Sequence, residues 1–128
     1  MSDLKFYRCA KCGNIDVHVQ ESGVAVECCG QPMDLLIPNS VEARHDIHVP
    51  LVNLFEGEAL VSVGENPHPM LPEHHLQWIA FQSTAGIQIH WLKTEDPPYY
   101  EFLIQEAADP LAAYAYCNLH GLWKTRFI

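Results

Sequence analysis

Five residues in the second part of the chain have side chains that bind metals well. Cys117 and His120 are separated by two residues, so a thiolate and an imidazole can share one turn. A structural zinc site closes at four ligands, and a fifth donor therefore favours iron with one face left open for a reactant. This pattern predicts a redox enzyme rather than a passive binding domain. The candidate ligands are His48, His68, His74, Cys117 and His120.

A second group of candidate ligands lies near the start of the chain. It consists of Cys9, Cys12, Cys28 and Cys29. The two-residue spacing of the first pair lets both sulfurs reach one ion. Adjacent cysteines usually point apart, but Gly30 and Pro32 can bend the chain enough for both to bind. The pattern predicts a tetrathiolate metal site, and the spacing alone leaves iron and zinc open.

The composition narrows the function classes. The net charge is −9, from seven basic and 16 acidic residues, and no basic stripe suggests a nucleic-acid partner. No apolar run approaches the roughly 20 residues that span a bilayer, and the start of the chain lacks signal-peptide features. Four of the five cysteines fall within the first 29 residues, a distribution that metal ligation explains better than disulfides. We expect a cytoplasmic protein without a membrane partner.

The elements that must position these ligands are short strands. Around the first cysteines, alternating apolar residues over 15–19 and the segment 24–27 predict a small β module over residues 1–37. So short a segment buries little core, so a metal would contribute most of its folding free energy. Residues 31–40, with two prolines, indicate a linker.

Residues 38–128 are predicted to form a second domain of antiparallel strands. A hairpin is expected over 49–55 and 59–63, and another over 77–83 and 87–93. Three further strands are expected over 99–105, 112–116 and 122–128. No segment has sustained helical periodicity, and Asp109–Ala113 can open one short helical turn at most. About seven short strands indicate an antiparallel sandwich with the metal ligands on its loops.

Taken together, the motifs resemble those of desulfoferrodoxin, the two-iron class of superoxide reductase. The resemblance runs through nearly the whole chain in order: the four cysteines, His48-Val49-Pro50, His68-Pro69-Met70, His74, and the segment Tyr116-Cys117-Asn118-Leu119-His120-Gly121-Leu122-Trp123-Lys124. It implies an all-β protein with a desulforedoxin-like N-terminal module, an immunoglobulin-like β-sandwich and a homodimeric assembly. The implied activity is reduction of superoxide to hydrogen peroxide with one external electron and two protons, in the defence against oxidative stress.

The resemblance also implies a role for each ligand. Cys9, Cys12, Cys28 and Cys29 would hold a first iron. Four histidines would surround a second, catalytic iron in one plane, with Cys117 as the axial thiolate and the opposite position open; these histidines are His48, His68, His74 and His120. A small electron donor, such as a rubredoxin-like protein, would supply the electron.

One position departs from the family. The residues before His-Val-Pro are usually Glu-Lys, in which the glutamate caps the oxidised iron and the lysine guides the anion. In this chain they are Asp46 and Ile47. The aspartate is one methylene shorter, and the isoleucine carries no charge. We therefore expect Arg44, His45 or Lys124 to take the place of the missing lysine in attracting superoxide.

Two other functions remain open from the sequence. The chain could be an electron-transfer protein without catalysis, if the loss of the lysine has removed substrate steering. It could also be a zinc protein in which both sites only stabilise the fold.

Overall fold

The computed structural model describes residues 3–127 and divides into two compact units, Met1–Ile37 and Pro38–Ile128. Almost all regular structure is β, which confirms the predicted class. Within residues 3–127, the one helix has four residues, and none is long and apolar enough to cross a membrane.

The first unit is a module of very short strands. It contains β1 (Phe6–Arg8), β2 (Ile15–Val17), β3 (Glu27–Cys28), β4 (Gln31–Pro32) and β5 (Asp34–Leu35). The order β2-β1-β5 forms one sheet, and β3 and β4 form a separate hairpin. Among the described residues of this unit, the only buried apolar side chains are Phe6, Cys9 and Met33.

Two predictions for this module were wrong. The expected linker over 31–40 contains β4 and β5, and Met33 between them is buried. The expected strand over 24–27 forms only at its end, because Val24 and Val26 are 73% and 40% exposed and have no second layer to pack against. In so small a unit, apolar alternation alone does not specify a strand.

The second unit is a sandwich of two antiparallel sheets, as predicted. Its strands are β6 (Pro50–Phe55), β7 (Glu58–Val63), β8 (Leu76–Ser83), β9 (Gly86–Trp91), β10 (Tyr99–Leu103), β11 (Pro110–Cys117) and β12 (Gly121–Arg126). One sheet has the order β10-β7-β6 and the other β12-β11-β8-β9. The core between them includes Val61, Ile79, Phe81, Phe102 and Ala115, each at most 2% exposed. The predicted last strand reaches Ile128, which lies outside the described residues.

Both predicted hairpins are confirmed. Phe55 pairs with Glu58 across one turn, and Ser83 pairs with Gly86 across the other. The expected helical turn near Asp109 is wrong, because Pro110 already begins β11. A short helix lies elsewhere instead: α1 (His45–His48) leads into β6.

The register brings several strand ends to one end of the sandwich. Pro50 at the start of β6 pairs with Val63 at the end of β7. In the other sheet, Cys117 at the end of β11 pairs with both Leu76 and Gly121. A register shift between Tyr116 and Cys117 marks a bulge, which re-aims a side chain at a strand end. All five candidate ligands of the second cluster lie at or beyond these strand ends.

Candidate metal centres

The four cysteines of the first unit converge on one point. Their sulfurs all lie within 4.8 Å of one another, a spacing that suits a single ion. Cys12 Sγ and Cys28 Sγ are 3.5 Å apart, well beyond a disulfide bond, and all five cysteines are free thiols. The cluster therefore has the donors of a tetrathiolate site.

Backbone turns bring these cysteines together. Cys9 accepts the backbone N–H of Gly13 at 2.9 Å, which closes the first turn. In the β3–β4 hairpin, Cys29 and Gly30 both have positive φ, at 54° and 77°. Two consecutive residues of this kind make a tight hairpin turn, and the turn lets adjacent cysteines serve one site. The bend expected at Gly30 is present.

The pKa values of the clustered thiols favour the binding of a cation. A backbone hydrogen bond from Cys12 lowers the pKa of Cys9 to about 6. Hydrogen bonding to Cys12 and then to Cys9 raises the pKa of Cys28 to about 12. Four thiolates this close cannot all ionise on their own, and binding an ion would release the remaining protons.

In the second unit, four histidine rings form a closed ring of contacts. Successive centroids are separated by 4.8 Å (His48–His68), 4.7 Å (His68–His74), 5.1 Å (His74–His120) and 4.8 Å (His120–His48). Each neighbouring pair meets edge to face, at interplanar angles between 73° and 84°. This arrangement lets four imidazoles surround one point.

Hydrogen bonds decide which nitrogen each ring offers. The Nδ1–H groups of His48 and His68 donate to the carbonyls of Arg44 and Pro69, both at 2.7 Å, so Nε2 is left to bind a metal. The Nε2 atoms of His68 and His74 are buried without a hydrogen-bond partner, as expected of nitrogens that bind a metal ion.

His120 offers the other nitrogen. Its Nδ1 lies 3.1 Å from His48 Nε2 and 3.8 Å from Cys117 Sγ. Two nitrogens bound at right angles to one ion at about 2.1 Å would lie about 3 Å apart, so the first distance matches a shared metal. The potential ligand atoms of His48, His74, Cys117 and His120 all lie within 4.8 Å of one another. His68 is outside that group but its ring completes the circle of contacts.

Burial shifts the pKa values of four of these donors. It lowers the pKa of His48 and His74, and that of His68 to about 4, so these imidazoles are neutral at pH 7. Burial raises the pKa of the Cys117 thiol. A metal ion would displace that proton, because the thiolate is the form that binds.

Two supporting residues were not identified from the sequence as parts of the site. Trp123 lies in the segment that resembles the family but has no role assigned from the sequence. Its ring stacks on His48 at 4.7 Å, and its Nε1–H donates to the carbonyl of His120. Asn118 accepts the backbone N–H of His75 at 2.8 Å and so ties the Cys117–His120 turn to the loop that carries His74. The Cys-x2-His spacing gave no signal for either role.

Asp46 and Ile47 lie on α1, directly before His48. The Asp46 carboxylate is bound by the Arg44 guanidinium and by Asn66, and these bonds lower its pKa to about 2. Ile47 is half-buried, and its backbone packs against Gly64. Of the proposed substitutes for a lysine, His45 meets the Trp123 ring edge on at 5.1 Å. Lys124 Nζ lies 5.3 Å from the centre of the Tyr114 ring.

Comparison with known proteins decides the family. A family model described as Desulfoferrodoxin matches residues 40–126, and one described as Desulfoferrodoxin, N-terminal domain, matches residues 2–36. The chain belongs to the desulfoferrodoxin family. The four-cysteine and histidine–cysteine clusters of this family member match the two iron centres of desulfoferrodoxins. The residues present fit iron because soft thiolates and neutral imidazoles are its usual donors.

Individual relatives agree with this family assignment. A desulfoferrodoxin of Desulfarculus baarsii is 38% identical over 122 residues, covering 94% of both chains. A superoxide reductase of Thermococcus kodakarensis is 36% identical over 94 residues, covering 60% of this chain and 82% of that protein. The crystal structure of the superoxide reductase from Treponema pallidum superposes with a TM-score of 0.82 at 29% identity, covering 98% of this chain and all of the other.

Proposed function

We propose that this desulfoferrodoxin-family chain is a superoxide reductase, which reduces superoxide to hydrogen peroxide without producing oxygen. The observation that carries the proposal is the ring of four imidazoles beside one buried thiol at one end of the sandwich. Five donors leave one position of a six-coordinate ion free. Proteins similar to this chain, from Thermococcus kodakarensis and Treponema pallidum, are named superoxide reductases.

The ligand assignment is part of the proposal. His48, His68 and His74 would bind the catalytic iron through Nε2, and His120 through Nδ1, with Cys117 as the thiolate. Cys9, Cys12, Cys28 and Cys29 would hold the other iron. The catalytic iron, when bound, supplies the electron that superoxide accepts. Two protons and that electron convert superoxide to hydrogen peroxide, and an external donor then restores the electron.

The residues of the chain prepare that reaction in three ways. Burial keeps the imidazoles of His48, His68 and His74 neutral, so they do not repel a cation. The carbonyls of Arg44 and Pro69 fix the orientation of two rings by accepting their Nδ1–H groups. Trp123 covers one face of the His48 ring and limits the access of water from that side.

The attraction of the superoxide anion stays a separate hypothesis. We propose that Arg44, His45 or Lys124 supplies the positive potential that a lysine at position 47 would give. The rate of the superoxide reaction should then fall as ionic strength rises and should fall further in one of the alanine variants of these residues. Ile47→Lys should raise the rate severalfold at low salt. A rate that is independent of salt and unchanged in Arg44→Ala, His45→Ala and Lys124→Ala would refute the hypothesis.

We also propose the cellular setting that this chemistry requires. Five free cysteines suit a reducing compartment, and we place the protein in the cytoplasm. The electron would come from a small rubredoxin-like donor. We propose a homodimer, to which the exposed Trp91 and Leu103 on two edge strands could contribute apolar surface. Sedimentation equilibrium of the native chain and of Trp91→Glu would test the assembly.

The test of the activity is anaerobic mixing of the fully reduced iron protein with superoxide. A reductase forms one hydrogen peroxide for each superoxide consumed and releases no oxygen. A dismutase would form half as much peroxide, with oxygen as the other product. A simple electron-transfer protein would be oxidised slowly, and a zinc protein would be colourless and inert.

A further inference from the structure

The carboxylate of Asp46 is held by two neighbouring side chains. Arg44 binds it through both arms of its guanidinium, with Nε 3.0 Å from Oδ1 and Nη2 2.6 Å from Oδ2. Asn66 donates its side-chain N–H to Oδ2 at 2.7 Å. A two-armed pair of this kind is among the stronger and more directional interactions of a carboxylate.

Backbone hydrogen bonds also hold the segment around Asp46 against the loop after β7. The N–H of Asn66 donates to the carbonyl of Asp46 at 2.9 Å, and that of Gly64 donates to the carbonyl of Val49 at 3.2 Å. Gly64 has a φ of 89°, and a Cβ there would lie 2.7 Å from the Cα of Ile47 and collide with the carbonyl of Asn66. The loop after β7 is therefore pressed against α1, and the Asp46 carboxylate has little freedom to turn.

The bonds to Arg44 and Asn66 compete with metal binding by Asp46. A carboxylate has about four lone-pair positions, and three are used here. His68 and Asp46 are both outside the tightly gathered donor atoms of the second cluster, but their contacts differ. The His68 ring meets those of His48 and His74, whereas the Asp46 carboxylate is bonded to Arg44 and Asn66. To bind iron, Asp46 would have to leave the guanidinium that neutralises it.

We propose that Arg44 and Asn66 are positioning residues that hold the Asp46 carboxylate away from the catalytic iron. The sixth position then stays open to an external anion when the iron is oxidised, instead of being closed by the chain's own carboxylate. This inference rests on the proposed iron site. It assigns a role to Asn66, which lies outside the sequence motifs. It also means that Asp46 does not cap the oxidised iron, as the family glutamate at this position does.

The test is a double-mutant cycle read by azide binding and by the visible absorption of the oxidised second centre. Azide serves as the external anion, and the iron-loaded full chain is used throughout. Asp46→Ala alone should leave the absorption band and the azide affinity close to native. Arg44→Gln should shift the band and weaken azide binding roughly tenfold, the factor expected if the freed carboxylate occupies the position about nine-tenths of the time.

The remaining variants separate this mechanism from a simple charge effect. In Arg44→Gln with Asp46→Ala, the band and the azide affinity should return toward native values. A charge effect alone would make Asp46→Ala strengthen azide binding equally in both backgrounds. Lys93→Gln is the matched control, because it removes another exposed cation of the sandwich and should leave the band unchanged. Asn66→Ala should shift the band in the same direction as Arg44→Gln, by a smaller amount.

Three outcomes would overturn the inference. The first is a band shift in Asp46→Ala alone, which would make Asp46 a ligand in the native protein. The second is no Asp46-dependent change in Arg44→Gln, and the third is an equal effect of Asp46→Ala in both backgrounds. Failure of the native protein to reduce superoxide would instead refute the proposed function, while the azide cycle would still report where Asp46 lies.

Discussion

The two units of the chain gather metal ligands in opposite ways. Among the described residues of the first unit, Phe6, Cys9 and Met33 are the only buried apolar side chains, and Cys9 is itself a candidate ligand. The sandwich has a core cluster of ten buried residues, of which Cys117 is one member. In the first unit a metal must hold the strands together, whereas in the second the strands hold the ligands together.

This difference has an energetic consequence at the second site. The Nε2 atoms of His68 and His74 are buried and have no hydrogen-bond partner among the described residues, an arrangement that costs free energy unless a metal ion binds them. The sandwich core must offset that cost, so the site is preorganised at the expense of stability. A preorganised site keeps its geometry when the iron changes oxidation state, as a catalytic centre requires.

The largest expected effect is the removal of metal from the first unit. Chelation, or Cys28→Ser, should unfold this module and leave the sandwich folded, because structural metal sites contribute about 10–16 kcal/mol of apparent binding free energy. Amide hydrogen exchange resolved by region measures both parts at once. Cys117→Ser is the control and should leave protection of the module unchanged. Loss of protection in both units after chelation would contradict the claim that the sandwich folds without metal.

The next effect concerns the core of the sandwich. Phe81 is fully buried, and Phe81→Ala should lower the free energy of unfolding of the metal-free sandwich by about 3–5 kcal/mol. Leu54 lies on β6 and is 49% exposed, so Leu54→Ala should change the free energy of unfolding by about 0.5 kcal/mol or less. Urea unfolding followed by tryptophan fluorescence compares the two. Equal effects would mean that the core does not hold this unit together.

Alanine substitutions at two glycines distinguish backbone strain from steric collision near the second site. Gly64 and Gly57 have φ of 89° and 77°, but a Cβ at Gly57 would meet nothing within 4 Å. Gly57→Ala should cost about 1–2 kcal/mol, the penalty of a left-handed alanine. Gly64→Ala should cost more and should also weaken iron binding at the second centre, because the collision displaces α1. Thermal unfolding and iron content at each centre are the measurements, and equal results for the two variants would rule out the close packing.

A smaller effect should follow from pH in the metal-free protein. The unfolded chain binds protons at its histidines near the ordinary pKa of 6.5, whereas burial lowers the pKa of His68 to about 4 in the folded state. The unfolded state therefore binds more protons between these values, and stability should fall as the pH drops from about 6.5 to about 4. Urea unfolding at several pH values measures this slope. His68→Gln should reduce it, and an unchanged slope in that variant would contradict the assignment.

The sequence predicted the hairpins well and the short elements poorly. Two mostly apolar runs joined by the turn Glu56-Gly57-Glu58 were sufficient to predict β6 and β7. The helix α1 has four residues, too few for any periodicity, and it forms because its turn is bound by the loop after β7. Strands β4 and β5 have two residues each and lie in a proline-containing segment that resembled a linker.

Prediction of the candidate site had a similar limit. The spacing of Cys117 and His120 predicted that they share a turn, and their side chains are 3.8 Å apart. The residue types suggested that distant histidines share this site, and the family resemblance gave each ligand its role, because no local pattern links residues so far apart. The bond between Asp46 and Asn66 joins residues 20 positions apart, so no local signal could reveal it.

The most direct test of the account is rapid mixing of superoxide with reduced protein in which Cys28→Ser has removed the first centre. If the sandwich alone builds the catalytic site, the second centre should be oxidised at the native rate, with one peroxide formed per superoxide. If the second centre fails to react in this variant, or reacts only when the first centre is present, the catalytic role assigned to the sandwich is wrong.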